Sequence, residues 1–189
     1  EVNHAHALAR LAFDSLREMK GRIALEVHGK GMQNDIKLGP GGIREIEFFG
    51  QMFQLIRGGV ESALQIRPIQ QVLKVLVKKR YIPEAVGAIM DAAYVFLRTV
   101  ENRLQEWADQ QTHQLPVDAK ARLRLAAAMG FDGWAAFEAH LDDHRRRVHA
   151  HFSDLLAPVK ENGVADPQAE TLKQLQGLWQ GVTDKERQT

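Results

Sequence analysis

The sequence predicts an all-α fold, a helical bundle with at most one short strand or hairpin near residues 34–39. Long stretches repeat apolar residues at three- and four-residue spacing, the period of one helix face. The Pro and Gly breaks between them are short, which makes successive helices antiparallel neighbours. Only Ile36 to Leu38 has strand character.

The first stripe runs from His4 to His28 through Leu8, Leu11, Ala12, Leu16, Met19, Ile23 and Val27, and Gly29 and Gly31 end it. Ile43 to Arg57 is apolar nearly all round, which predicts a helix buried on most sides, stopped by Gly58-Gly59. Pro68 belongs in the first turn of the next helix, Ile69 to Arg80. Pro83 opens a long helix from about Glu84 to Gln111, whose inner stripe is Val86, Ile89, Met90, Ala93, Phe96, Leu97, Val100 and Leu104. Leu115-Pro116 breaks the chain, Asp118 caps a helix over Ala119 to Met129, and Gly130 closes it. Gly133 to about Leu156 forms the last long helix. Pro158 to Pro167 reads as a linker and Thr171 to Gly181 as a weak terminal helix. The domain expectation is thus a bundle over 1–157 followed by a linker and weak helix over 158–189. The chain opens mid-helix on Glu1 rather than Met, so a piece of something larger is expected.

Composition narrows the function classes. With 189 residues, 44% hydrophobic and 26% charged, the chain suits a soluble globular domain with a real core. A net charge of +1 supplies no overall field toward nucleic acid or membranes. Cysteine is absent, which excludes disulfides and thiolate metal sites and fits a reducing cytoplasm. No apolar run approaches a membrane span and no signal peptide is visible.

Asp35-Ile-Lys-Leu-Gly-Pro-Gly-Gly-Ile-Arg-Glu-Ile-Glu-Phe48 carries the most chemistry. It sets a strand-like run against a helix start, an arrangement that exposes backbone N–H groups and can build an anion site. Lys37 and Arg44 flank that start, so Lys37, Gly41, Gly42 and Arg44 are the phosphate or nucleotide candidates. The alternative is an ordinary connection in which Gly supplies the needed φ angles. It is neither a Walker loop nor GxGxxG. Glu45 and Glu47 would pair as a metal clamp only on a strand; on a helix they point about 200° apart. An Arg44–Glu47 pair at i,i+3 is the simpler expectation.

Arg98, Glu101, Asn102, Arg103 and Gln105 form a polar cluster on a helix that should be buried, expected as an inter-helix ion network. Glu45, Glu47, Arg98 and Glu101 are therefore supporting polar residues. His140 and His144 stand at i,i+4, with His149 and His151 beyond, but the interleaved Asp142, Asp143, Arg145, Arg146 and Arg147 point to a solvated face. No metal ligand set is expected. Asp109-Gln-Gln-Thr-His113 lacks a Ser or Cys nucleophile, so a hydrolase triad is unsupported.

The Asp35 to Phe48 segment, followed by Gln51-Met-Phe-Gln-Leu-Ile-Arg-Gly-Gly59, closely resembles the bacterial glutamine synthetase adenylyltransferase/deadenylylase family. Ala93-Tyr-Val-Phe-Leu-Arg-Thr-Val-Glu-Asn-Arg-Leu-Gln105, Asp109-Gln-Gln-Thr-His-Gln-Leu-Pro116 and Arg124-Leu-Ala-Ala-Ala-Met-Gly130 continue the match in order. The resemblance covers about Leu16 to Phe152 and is nearest to the N-terminal half, which removes AMP; the C-terminal half, which adds it, more often has Asp where Glu45 stands. A related helical module occurs in the uridylyltransferase of the nitrogen-signal protein PII. The family's Gly-Ser-x-x-Asp-x-Asp motif, whose aspartates bind the catalytic metals, does not occur in this sequence. The resemblance implies a helical domain following a nucleotidyltransferase core that precedes Glu1, inactive alone. In the parent it implies phosphorolysis of an AMP–tyrosine phosphodiester with Mg²⁺ and ATP or ADP, in the cytoplasm. Glutamine synthetase and PII, modified or unmodified, are the implied partners. Two roles for this piece stay open: an accessory that closes the nucleotide cleft and supplies Lys37, or a regulatory docking module with no part in chemistry.

Overall fold

The computed structural model describes residues 32–108 and 112–157. The expected helices at His4 to His28 and Thr171 to Gly181, and the expected linker, lie outside these. Among the described residues there are five α-helices and no strand: α1 Ile43–Arg57, α2 Ile69–Lys78, α3 Glu84–Ala108, α4 Ala119–Ala128 and α5 Trp134–Leu156. The expected all-α fold holds. Ile36 to Leu38 is a turn rather than a strand-like run, and extended pairing is confined to one isolated antiparallel bridge between Asp35 and Gln114.

α1 is buried on most sides as expected: Ile43, Ile46, Phe49, Met52 and Phe53 are buried, and its exposed positions are Arg44, Gln51 and Leu55, the last 74% accessible. A Cβ on Gly50 would meet Ile69 at 2.2 Å; its absence lets α2 approach closely. The link from α1 to α2 is tied down by Gln54, whose Nε2 donates to the carbonyls of Leu64 and Ile66 at 2.7 Å each. Pro68 stands at the N-cap of α2, one position earlier than expected. α2 stops at Lys78, two residues short of the expected Arg80, because Arg80 adopts the left-handed region (φ 58). There Arg80 N–H donates to Val77 and Tyr81 N–H to Leu76, the paired bonds of a Schellman end.

α3 is the central helix. Met90, Ala93, Leu97, Val100 and Leu104 form its buried stripe, and it packs against all four other helices. The stretch expected to carry it on to Gln111 falls at 109–111, outside the described residues. Asp118 caps α4 as expected, accepting from Ala121 N–H at 2.8 Å, and Gly130 (φ 80) ends it. α5 contributes Phe137, Leu141, Val148, Phe152 and Leu156 to the same core. Apolar burial at about 25 cal/mol per Å² makes this one contiguous core the main stabilising element.

On α5, His140 is exposed as expected of a solvated face, and His144 is half-buried. Both rings pack 4.9 Å from Phe96, beside Phe131 and Phe137. Burial there, aided by the neighbouring His140, pushes the His144 imidazole below its ordinary pKa.

A left-handed residue with a Cβ costs about 1–2 kcal/mol, against roughly 0.5–1 kcal/mol for the extra chain entropy of Gly. Arg80→Gly should therefore raise stability by about 0.5–1 kcal/mol, read as a higher urea midpoint with unchanged m value.

Candidate functional site

The Gly-Pro-Gly-Gly turn is built by Asp35. Its Oδ1 accepts the amides of Lys37 and Leu38 at 2.8 Å each, the Asx-turn habit of this residue type. Its Oδ2 accepts Gln114 Nε2 at 3.0 Å, and the bridge is completed by Ile36 N–H to His113 O and Leu115 N–H to Asn34 O. The chain then folds back on itself. Gly42 N–H donates to Gly39 O, Ile43 N–H to Ile36 O, Arg44 N–H to Lys37 O and Glu45 N–H to Gly42 O, all at 2.9–3.1 Å. Gly41 N–H donates to Glu45 Oε2 at 3.1 Å.

These bonds change the reading of the helix start. Its amides from Gly41 to Glu45 all have protein acceptors, so none stands open as the anion-site pattern would require. The glycines answer to packing instead. A Cβ on Gly41 would lie 1.9 Å from the Arg145 carbonyl oxygen, and one on Gly42 within 2.8 Å of the Lys37, Gly39 and Ile36 carbonyls. Gly41 also has φ 69, where L side chains are strained.

Two helices hold the turn from outside. From α5, Arg145 donates through Nε to Pro40 O (2.9 Å) and through a terminal nitrogen to Gln33 O (2.8 Å). Burial lowers its guanidinium pKa, though nearby Asp142, Asp35 and Glu45 oppose that. One turn along, His149 Nδ1 meets Glu45 Oε1 at 2.9 Å. From α3, Glu101 (3% exposed) takes Lys37 Nζ at 3.1 Å on Oε1 and Arg98 at 2.6 Å on Oε2. His113 Nδ1 lies 3.0 Å from the same Oε1. Arg98 also stands 5.9 Å over the Tyr94 ring.

The candidates thus divide. Lys37, Arg98 and Glu101 come together in one network. Arg44 and Glu47 form a separate exposed i,i+3 pair at 3.3 Å, and Glu45 turns to His149 and Gly41. Arg103, read with the same polar cluster, pairs with Glu106 at the surface. Asp35, His113, Gln114, Arg145 and His149 were missed as parts of the site. Only Asp35 had a local signal, its place just ahead of a turn; Gln114, Arg145 and His149 act across 79 to 112 residues of chain, and the His113 carbonyl reaches Ile36 from another segment. Among the described residues no three His, Cys, Asp or Glu side chains are grouped to hold a metal ion, and Glu45, Glu47 and Glu101 are each engaged with a cation or an amide. These residues do not fit a catalytic Mg²⁺ site. No helix among them is long and apolar enough to cross a membrane.

The model of the GlnD PII-uridylyltransferase family matches residues 17–156. The bifunctional glutamine synthetase adenylyltransferase/adenylyl-removing enzyme of Nitrosococcus oceani is 51% identical over 170 residues, 90% of this chain and 17% of that protein. The proteins of the same name from Methylococcus capsulatus and Neisseria meningitidis are 48% and 42% identical, over 82% and 93% of this chain and 16% and 19% of theirs. The chain therefore spans less than a fifth of the length of these curated relatives.

Glu101→Gln should cost about 1–3 kcal/mol, because partly buried donors lose a charged acceptor. Glu47→Gln, breaking only the exposed pair, should stay within about 0.5 kcal/mol. Urea denaturation of both variants checks the contrast.

Proposed function

The chain belongs to the GlnD PII-uridylyltransferase family, and from that premise we propose that it is the helical part of a nucleotidyltransferase acting on glutamine synthetase by reversible adenylylation. Within such an enzyme this piece is most like the AMP-removing half, where phosphate attacks an AMP–tyrosine phosphodiester to give ADP and the unmodified side chain. The carboxylates that would hold Mg²⁺ lie outside this chain, and the isolated chain turns over nothing. PII is the regulatory partner of the whole enzyme.

Lys37 is the observation on which the reading rests. It sits on a turn braced by α3 and α5, with Nζ 3.1 Å from buried Glu101 and a quarter of its side chain (25%) still facing solvent. Arg98, 44% exposed, shares the same carboxylate. Each keeps N–H donors beyond those Glu101 uses. Held from below, the two cations form a fixed rim for a phosphate group brought by the rest of the enzyme. Preorganised charge of this kind stabilises developing negative charge without reorganisation at the moment of reaction. Gly41 and Gly42 serve the rim by letting the turn pack, and Arg44 belongs to the outer surface.

Docking is favoured by a different observation. The helix start offers no free amide, and Leu55, Val60, Val117 and Leu123 leave apolar side chains 58–80% exposed. In that case the bundle binds PII or glutamine synthetase and only transmits a state.

One comparison separates the two. In the full-length enzyme, Lys37→Met keeps the apolar stem and removes the charge. If Lys37 meets phosphate, the variant should slow AMP removal roughly ten- to a hundredfold, the equivalent of about 1.5–3 kcal/mol. Arg44→Met should leave the rate unchanged. Initial rates are read beside melting temperatures; full activity of folded Lys37→Met would leave docking as the function.

A further inference from the structure

His140 and His144 are one turn apart on α5, the spacing that puts two side chains on one helix face. Their Nε2 atoms lie 3.2 Å apart, with ring centroids at 4.8 Å and planes at 81°. The rings are not free to wander. Phe96 stands 4.9 Å from each, edge-on to His140 and stacked on His144, and Phe131 lies 5.4 Å from His140. Asp143 beside them is engaged by Arg146 and, at 2.8 Å, by Arg147.

We propose that His140 and His144 form a two-imidazole site for a divalent metal ion of the borderline class, with Zn²⁺ the best geometric match. Zn–N bonds are about 2.0–2.1 Å, so two of them at a tetrahedral angle set their nitrogens roughly 3.3 Å apart. A square-planar ion would bring adjacent nitrogens to roughly 2.9 Å. The 3.2 Å separation matches the tetrahedral case. In the metal-free pair one Nε2–H donates to the other Nε2; on binding, that proton passes through solvent to Nδ1 of its own ring, so both neutral imidazoles turn an Nε2 lone pair to the ion. Imidazole suits zinc, and two His at i,i+4 on a helix are a recurring zinc arrangement. Among the described residues no third His, Cys, Asp or Glu joins the pair. Water fills the remaining positions, so the ion stays open to a donor from outside, such as a carboxylate or imidazole of a docked protein.

The test uses the 189-residue chain stripped with a chelator and titrated with ZnCl₂ by calorimetry and by the ¹⁵N-resolved histidine side-chain spectrum. Zinc should shift the resonances of His140 and His144 and raise the melting temperature. His140→Gln and His144→Gln should each weaken the event roughly 10–100-fold or more, since losing a ligand costs at least what losing an outer-shell partner does. His151→Gln should leave it intact. Should a Gln variant not fold, the wild-type histidine spectrum alone decides. Shifts confined to other histidines, unchanged affinity in the double variant His140→Gln/His144→Gln, or no zinc-dependent change at all would each overturn the proposal and leave a hydrogen-bonded histidine pair.

Discussion

A buried carboxylate has to be paired, and Glu101 is met by two cations. It lies on the central helix α3, and its partners are Lys37 from the glycine-rich turn and Arg98 from its own helix. Removing charge from water is unfavourable unless partners of good geometry replace the solvent. The position of the turn is therefore tied to the same helix that organises the apolar core. Arg145 and His149 close it from α5. With Asp35 satisfying the amides inside the bend, the turn becomes part of the bundle rather than a loop on its surface.

That constraint explains which features were legible in the sequence. Helix identities followed from apolar spacing, and several ends from local chemistry: Asp118 caps α4, and Gly130 closes it with positive φ. The Arg44–Glu47 pair was legible because i,i+3 neighbours on a helix are within reach, whereas the Arg98 cluster, expected as an inter-helix network, pairs within α3 (Arg98–Glu101, Arg103–Glu106) and reaches outside it to Lys37. The fate of the turn was not. Its Gly-Pro-Gly-Gly pattern serves an anion site and a tight packing site equally well, and the groups that decide between them come from far along the chain. Arg145, whose carbonyl excludes a Cβ at Gly41, carries no local mark of that role among the charges around it. Likewise the interleaved charges of α5 concealed that His140 and His144 lean on Phe96, a residue of another helix.

A rigid turn with a cationic rim suits a domain that is one part of a longer enzyme. The curated relatives are about five times this length, so on the proposed reading most of the groups that define a reaction site come from the rest of the enzyme. In the proposed enzyme this chain contributes placement. The core fixes α3, Glu101 fixes Lys37, and the closed helix start prevents the turn from sliding relative to either neighbour. A displacement of about 1 Å in a positioning group costs as much as a hundredfold in rate, which is why the proposed role of Lys37 calls for stiffness of this kind.

Hydrogen exchange of individual amides tests this most directly. If the turn is one cooperative unit with the bundle, the Ile43 and Arg44 amides, bonded to Ile36 and Lys37, exchange as slowly as that of core residue Leu97. Exchange at those two amides as fast as at exposed Gly59, with Leu97 still protected, would show a turn that opens independently and would contradict its role as a fixed post.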